Sequence, residues 1–141
     1  MFKTQYVDFL KNIKRLLTFD SICAIIALEN GESELWNFLE DLRIKAETNK
    51  DYRIQYKQIT FYIQLLQDNG TRMPENITKH IEDGIWELRP GNNRVLYFFF
   101  KDNTFILLHQ FRKKTQKTPR SEIEKAKSER KDFLSREEHK L

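Results

Sequence analysis

Apolar side chains recur at every third or fourth position in four stretches of the chain, which is the spacing of amphipathic α-helices. The first stretch covers residues 2–17 and carries lysines on its outer face. The second and third run over residues 35–46 and 52–66, and the polar segment ETNKD between them is short enough for an antiparallel helical hairpin. The fourth begins at Thr118-Pro119, because proline suits the first turn of a helix.

The other apolar runs are short and have the composition of strands. SICAIIAL (21–28) is continuous and rich in isoleucine, which is typical of a strand buried on both faces. Three more runs follow, and the turn sequences PGNN and KDNT separate them. They are GIWELRP (84–90), RVLYFFF (94–100) and TFILLHQF (104–111), and we predict that they form a three-stranded antiparallel meander.

The order of these elements predicts an α+β fold with a small, mostly antiparallel sheet. The N-terminal strand joins the meander, the helical hairpin packs on one face, and the helices together lie mainly on that face. With 141 residues the chain is long enough for one domain with its own core. We therefore predict a helical extension at residues 1–20, the folded domain at 21–136 and a polar tail at 137–141.

The composition of the chain indicates which kinds of partner the protein binds and in which cellular compartment it is expected. The formal net charge of +4 favours an anionic partner, with nucleic acid first and an acidic protein or membrane surface next. Cys23 is the only cysteine, which excludes an internal disulfide and a Cys₂ or Cys₄ metal site. Charges throughout the N-terminal stretch and the lack of a long apolar run predict a soluble, cytoplasmic protein without a signal peptide or membrane span.

Common enzyme signatures are missing from the sequence. We find no P-loop, no GxGxxG and no GxSxG, and four glycines are too few for the usual phosphate-binding loops. The three histidines show no metal-ligand spacing and have no carboxylate cluster beside them. The sequence therefore predicts neither a metal nor another cofactor.

Positive charge is concentrated after the last predicted strand. From Arg112 to Arg120 there are five basic residues and no acidic one. Arg89 and Arg94 flank one hairpin turn, and His109 lies near the end of the neighbouring strand, so we expect these groups to meet at one edge of the sheet. The basic candidates are Lys79, His80, Arg89, Arg94, His109, Arg112, Lys113, Lys114, Lys117 and Arg120.

A cationic cluster of this kind suits cleavage of RNA by its own 2′-hydroxyl, which needs no metal. The reaction requires a base, an acid and positive charge on the transition state. Arginine binds two phosphate oxygens at once through its planar fork. Histidine titrates in the required range, and a lysine can act as a base where burial or neighbouring cations depress its pKa.

Plainer interpretations of the same residues stay open. A basic run after a strand is commonly a solvated loop, and Arg89 and Arg94 can cap strand ends and pair with Glu87 or Asp83. Period-two counting also favours a core position for His109. The residues that would then share its face are Phe105, Leu107 and Phe111.

Four motifs resemble the phage-type HigB branch of the RelE/ParE toxin superfamily. They are GIWELR (84–89), RVLYFF (94–99), LLHQFRKKTQKTP (107–119) and EIEKAKSERKDF (122–133). The resemblance extends less sharply back to residue 21 and covers roughly residues 21–136. The predicted N-terminal helix departs from the family pattern, in which the chain begins at the first strand.

The resemblance implies a RelE-like fold and the toxin of a type II toxin–antitoxin system. Such toxins are metal-independent endoribonucleases that cut messenger RNA, usually on the ribosome. A cognate antitoxin, often a helix-turn-helix protein, holds each toxin inactive in a hetero-oligomer. The superfamily also contains ParE-type toxins that act on DNA gyrase, so a gyrase-binding toxin or a non-catalytic binding module is the alternative function.

The resemblance also implies roles for individual residues. Arg94 takes the place of the family's phosphate-binding arginine, and Arg89 supports it. Lys114, Lys117 and His109 are the other candidates for the catalytic site. The candidates for binding RNA are Arg112, Lys113, Arg120, Lys79 and His80. RelE itself completes its site with a C-terminal tyrosine, and this chain has no tyrosine after Tyr97.

Overall fold

Five strands form a single sheet in the computed structural model, which describes residues 33–138 and the backbone of residues 22–25. Strands β2 to β5 pair antiparallel with one another in chain order, and β1 pairs parallel with β5 at the other edge of the sheet. The order across the sheet is β1-β5-β4-β3-β2. The strands are β1 (Ile22–Ile25), β2 (Thr78–Glu82), β3 (Ile85–Leu88), β4 (Asn93–Phe99) and β5 (Thr104–Arg112).

Three helices complete an α+β fold, as predicted. They are α1 (Glu34–Lys45), α2 (Lys50–Asn69) and α3 (Arg120–Glu138). Ser33 caps α1 by accepting a hydrogen bond from the Trp36 N–H at 3.1 Å, and Gly70 ends α2 with a φ of +62°. The helix predicted over residues 2–17 lies outside the described residues. Within those residues, every helix is too short or too polar to span a membrane.

The strand β2 was not predicted, and it corrects the positions of Lys79 and His80. Both residues lie within β2 at the edge of the sheet, whereas the apolar pattern predicts the first strand of the meander after them, at residues 84–90. The sequence TKHIE has little strand character of its own, so tertiary contacts decide its conformation. Thr78 provides one such contact, because its hydroxyl donates to the Glu87 carbonyl at 2.9 Å and lies 2.7 Å from the Tyr97 hydroxyl.

The helices cover both faces of the sheet, and two of the three helices in the described part of the chain lie on one face, as predicted. The hairpin of α1 and α2 packs on one face, and α3 packs on the other. Two-sided burial follows from β4 and β5, whose apolar residues point alternately to both faces. The first core contains Leu35, Leu39, Leu42, Ile59, Ile63, Leu66, Leu88, Val95, Tyr97, Phe105 and Leu107. The second contains Ile85, Leu96, Phe98, Ile106, Leu108 and Ala126.

A β-bulge in β5 turns His109 towards α3. Leu96 lies opposite His109, whereas Tyr97 lies opposite Leu107, so Leu108 is the extra residue. His109 is in the core, as period-two counting favoured, but on the opposite face from Phe105 and Leu107. The bulge shifts the alternation by one position, which explains the wrong face.

Ion pairs fasten α3 to the turn between β2 and β3. Both terminal nitrogens of Arg120 lie 2.7 Å from the Glu82 carboxylate, which Lys127 also contacts. Arg130 contacts the Asp83 carboxylate at 3.0 Å. The Arg120 hydrogen bonds, followed by that of Lys127, lower the pKa of Glu82 from 4.5 to about 2.

We expect Glu82→Gln to lower the melting temperature at neutral pH and to flatten its acid dependence. A depressed carboxyl pKa contributes stability that is present above about pH 4.5 and is lost as the pH falls towards 2. The difference in melting temperature between parent and variant should therefore be largest above pH 5, should shrink as the pH falls through 4.5, and should close towards pH 2. Thermal unfolding of both proteins across this range measures it, and a constant difference would contradict the assignment to Glu82.

Candidate functional site

Two arginines share one buried carboxylate on the α3 side of the sheet. The Nε atoms of Arg89 and Arg94 each lie 3.2 Å from the same oxygen of Glu87. The Glu87 side chain is only 2% exposed, whereas the Arg89 and Arg94 side chains are 22% and 11% exposed. The pairing with Glu87 that the sequence left open is therefore present, and the three groups carry a net charge of one positive unit.

Backbone carbonyls fix the orientation of both guanidinium groups. Arg94 donates through Nη1 to the carbonyls of Gly91 at 2.7 Å and Asn93 at 2.9 Å, and Arg89 donates to the Glu75 carbonyl at 3.0 Å. Burial is the main cause that lowers the pKa of Arg94, and the Glu87 charge opposes it. Within residues 33–138, Nη2 of each arginine makes no hydrogen bond. One donor nitrogen of each arginine is thus available to an anion.

The turn that holds Arg94 is fixed against α2. Gly91 has a φ of +60°, and a Cβ atom at this position would lie 2.6 Å from Oε1 of Gln58. Glycine suits both the backbone conformation and the close approach of the helix. The Gly91 carbonyl, which accepts from Arg94, is therefore held in place by the packing of the turn on α2.

The segment between β5 and α3, residues 113–119, is here called the basic loop. The Thr118 hydroxyl donates to the second Glu87 oxygen, so the same carboxylate holds the two arginines and the end of the loop. At the other end, the Lys113 N–H donates to the Asn92 carbonyl at 2.8 Å. The basic loop consequently lies against the arginine pair, and a small cleft between them is lined by Arg94 and the loop residues.

The lysines of the basic loop supply unpaired positive charge. Lys114 and Lys117 are exposed and Lys113 is half-buried. None of the ion pairs formed within residues 33–138 involves these three lysines. Lys79 lies opposite Glu87 in the sheet, and it lines an open groove of about 470 Å³ together with Arg89 and Lys117. The structure thus brings Lys79, Arg89, Arg94, Lys113, Lys114 and Lys117 to one surface.

Of the four other sequence candidates, Arg112 lies outside this surface, Arg120 and His109 contact carboxylates, and His80 lines the same groove as Lys79 and Arg89. Arg120 pairs with Glu82 and Glu124, and Arg112 donates to Gln55 on the α2 side. The His80 ring packs against Trp86, and its Nε2 accepts from the Gly84 N–H at 3.2 Å. His109 is fully buried between Glu122 and Glu129 of α3.

Sequence reasoning missed the central role of Glu87 and Thr118. It considered Glu87 only as a partner that would cancel the arginines, and Thr118 only as the start of a helix. A signal for Glu87 was present, because Glu87 and Arg89 are two residues apart and alternate side chains of an extended chain share a face. Thr118 is 31 residues from Glu87, and its contact depends on how α3 docks.

The surface presents guanidinium, ammonium, hydroxyl and carboxylate groups. The described residues contain no group of three or more histidine, cysteine, aspartate or glutamate side chains that could hold a metal ion.

The residues that form this surface lie within a region of the chain that matches a known protein family. A family model described as Phage derived protein Gp49-like (DUF891) matches residues 37–131, which include Glu87, both arginines and the whole basic loop. No curated protein matches the chain. The family match covers well over half of the sequence. The chain therefore belongs to the Gp49-like family of phage-derived proteins, a RelE/HigB-like family associated with the toxins of toxin–antitoxin systems.

Proposed function

We propose that the protein is a toxin that cleaves messenger RNA as a metal-independent endoribonuclease, acting on the ribosome in the cytoplasm. One observation carries this proposal: two oriented arginines and the unpaired lysines of the basic loop meet on one surface. Such a surface presents donors to the oxygens of a phosphodiester. Membership of a toxin family supports the biological role.

Cleavage proceeds by attack of a ribose 2′-oxygen on the adjacent phosphorus. The 2′-hydroxyl loses its proton, the bond from phosphorus to the 5′-oxygen breaks, and the leaving 5′-oxygen gains a proton. The products are a 2′,3′-cyclic phosphate and a 5′-hydroxyl. Negative charge grows on the non-bridging oxygens during attack, and the free Nη2 donors of Arg89 and Arg94 stabilise it.

Each remaining residue of the surface has a role set by its position. Lys114 and Lys117 line the cleft beside Arg94, and we assign proton transfer to them. Lys113 and Lys79 bind the flanking RNA backbone. Glu87 does not touch the substrate but positions the two arginines. His109, Arg112 and Arg120 have no role in this mechanism, because they are buried, directed towards α2 or neutralised. His80 lines the groove with Lys79 and Arg89, and we assign it to binding of the flanking RNA.

A helix-turn-helix antitoxin is the proposed partner in the inactive complex. The net positive charge of the arginine pair and the basic loop favours an acidic segment of the antitoxin. A segment bound there would exclude RNA from the same donors. The toxin and antitoxin would thus form a hetero-oligomer in which charge complementarity contributes to inhibition.

The salt dependence of RNA binding tests the role of the basic loop. We expect the triple variant Lys113→Gln, Lys114→Gln, Lys117→Gln to reduce the slope of log K against log salt by about 2, at roughly 0.7 for each phosphate contact with a single strand. Fluorescence anisotropy with a labelled RNA, in the Arg94→Ala background to prevent cleavage, measures the slope. Lys101→Gln, in the β4–β5 turn, is the control and should leave the slope unchanged.

Mapping transcripts after expression tests the proposed activity itself. A ribonuclease should leave defined cut sites in messenger RNA by primer extension, and purified protein should cut RNA in the presence of EDTA. Intact transcripts together with double-strand breaks and supercoiling defects would contradict this proposal and would indicate a gyrase toxin of the ParE type.

A further inference from the structure

A second concave site lies at the far end of the sheet from the arginine pair. It is an open cavity of about 590 Å³ where the C-terminal turn of α2 meets the turn between β4 and β5. We call it the distal cavity. Phe99 lines it at one end of β4, five residues from Arg94, and five residues of strand span about 17 Å. Its volume is in the range of small-molecule sites, which is about 300–1,000 Å³.

The buried polar side chain of Gln67 borders the distal cavity. Gln67 is only 2% exposed, yet it makes no hydrogen bond to another residue of the described part of the chain. Among the described residues, the side-chain polar atoms that are sealed from solvent and lack a partner do not include those of Gln67, so its amide opens on the cavity. An amide held in place by burial of the rest of its side chain, and open only to a cavity, can offer a donor and an acceptor to a ligand.

Aromatic rings form the apolar part of the distal cavity. Trp86, Phe99 and Phe105 line it, and the rings of Phe99 and Phe105 meet edge to face with their centroids 5.5 Å apart. Phe99 is 52% exposed, which is unusual for a phenylalanine in a strand next to two cores. Exposed rings beside a cavity offer stacking surfaces for a flat, conjugated ligand.

Charged groups at the rim restrict the class of ligand further. Arg72 is exposed, lines the cavity and forms none of the ion pairs found within residues 33–138, so its guanidinium is available to an anion. The nearby Asp68 carboxylate already accepts a hydrogen bond from Gln64 at 3.0 Å. A ligand that fits the cavity thus has a flat ring with a donor and an acceptor along one edge, and a negative group beside it.

We propose that the distal cavity binds a nucleobase together with its phosphate, with adenine as the preferred base. A glutamine amide pairs with the adjacent N6 donor and N7 acceptor of adenine in two hydrogen bonds. The ring stacks on Phe99 or Trp86, and Arg72 binds the phosphate. The ligand is either a free adenine nucleotide or a base of a bound RNA strand, which share this chemistry.

Tryptophan fluorescence of a Trp36→Phe protein provides a local measurement. The chain has two tryptophans, so Trp86 is then the only one and reports stacking in the cavity. We expect AMP to quench its emission with saturation. Gln67→Leu and Phe99→Ala in the same background should each weaken binding at least about tenfold. Adenosine should bind more weakly than AMP, because Arg72 has no phosphate to contact.

The control variants separate this proposal from the proposed ribonuclease. Arg94→Ala should bind AMP as the parent does, since Arg94 lies at the other end of β4. If a short oligo-adenylate binds with dependence on Gln67 but AMP does not, the ligand is a base within a strand. Absence of saturable binding by both ligands, or equal binding by the parent, Gln67→Leu and Phe99→Ala, would overturn the proposal. Phe99 is largely exposed, so Phe99→Ala remains informative even if Gln67→Leu fails to fold.

Discussion

Arg94→Ala should abolish growth arrest on expression and should slow RNA cleavage about 100- to 1,000-fold, the range for loss of one oriented donor to a developing oxyanion. The variant should keep its fold, because Glu87 retains Arg89 and Thr118 as partners and is not left as an unpaired buried charge. Growth curves and cleavage of a defined RNA measure the effect. Circular dichroism and thermal unfolding test the fold.

Two further variants make the Arg94 experiment specific. Arg43→Ala removes an arginine that pairs only with Glu40 on the surface of α1, and it should leave growth arrest unchanged. Arg94→Lys keeps the charge but loses the planar fork, so we expect partial cleavage activity. If the Arg94→Ala protein arrests growth as strongly as the parent, the arginine pair is not the site of cleavage.

His109→Ala should produce the largest loss of stability, about 3–5 kcal/mol in the free energy of unfolding, because it removes a large, fully buried side chain together with its contacts to two carboxylates. Nε2 of His109 lies 3.1 Å from Glu122, and Nδ1 contacts Glu129. Without the imidazole, two carboxylates of α3 face each other across a new cavity between the helix and β5. Urea unfolding followed by circular dichroism measures the change.

Removing the carboxylates should rescue part of that loss. In the His109→Ala background, Glu129→Gln eliminates one of the two facing charges, and we expect it to raise the stability above that of the single variant. Asp132→Asn is the matched control, because Asp132 pairs with Arg136 on the same helix and does not contact His109. A loss below about 1 kcal/mol in His109→Ala, which is typical of surface substitutions, would contradict the assignment of His109 to a buried hydrogen-bond network.

The sequence predicts those helices and strands whose apolar spacing is regular and whose ends are marked by turn residues. The hairpin of α1 and α2 and the three-stranded meander follow from apolar spacing together with the PGNN and KDNT turns. The strand β2 could not be predicted, because TKHIE has little strand propensity and is held by pairing with β3. The side on which α3 packs is likewise decided by tertiary contacts with residues such as Leu108 and Ile106.

The sequence could predict the part of the candidate site whose residues lie on either side of a single turn. Arg89 and Arg94 flank one turn, so their convergence follows from the hairpin. His109 was placed on the wrong face because a single bulge residue in β5 reverses the alternation after it. The bidentate pair between Arg120 and Glu82 joins positions 38 residues apart and leaves no trace in local sequence patterns.

The Glu87 carboxylate has two effects at once: it lowers the net positive charge of the surface, and it holds Arg89, Arg94 and Thr118 in fixed positions. Substitutions that remove it would double the net charge that the arginine pair offers to RNA, yet would free both guanidinium groups and the end of the basic loop to rotate. A Glu87 variant that binds RNA more tightly would then cleave it more slowly, because both guanidinium groups would have to be ordered again for each phosphate. If the protein cleaves RNA as proposed, the Glu87 carboxylate would in this way limit how strongly it can bind RNA and still release it after each cut.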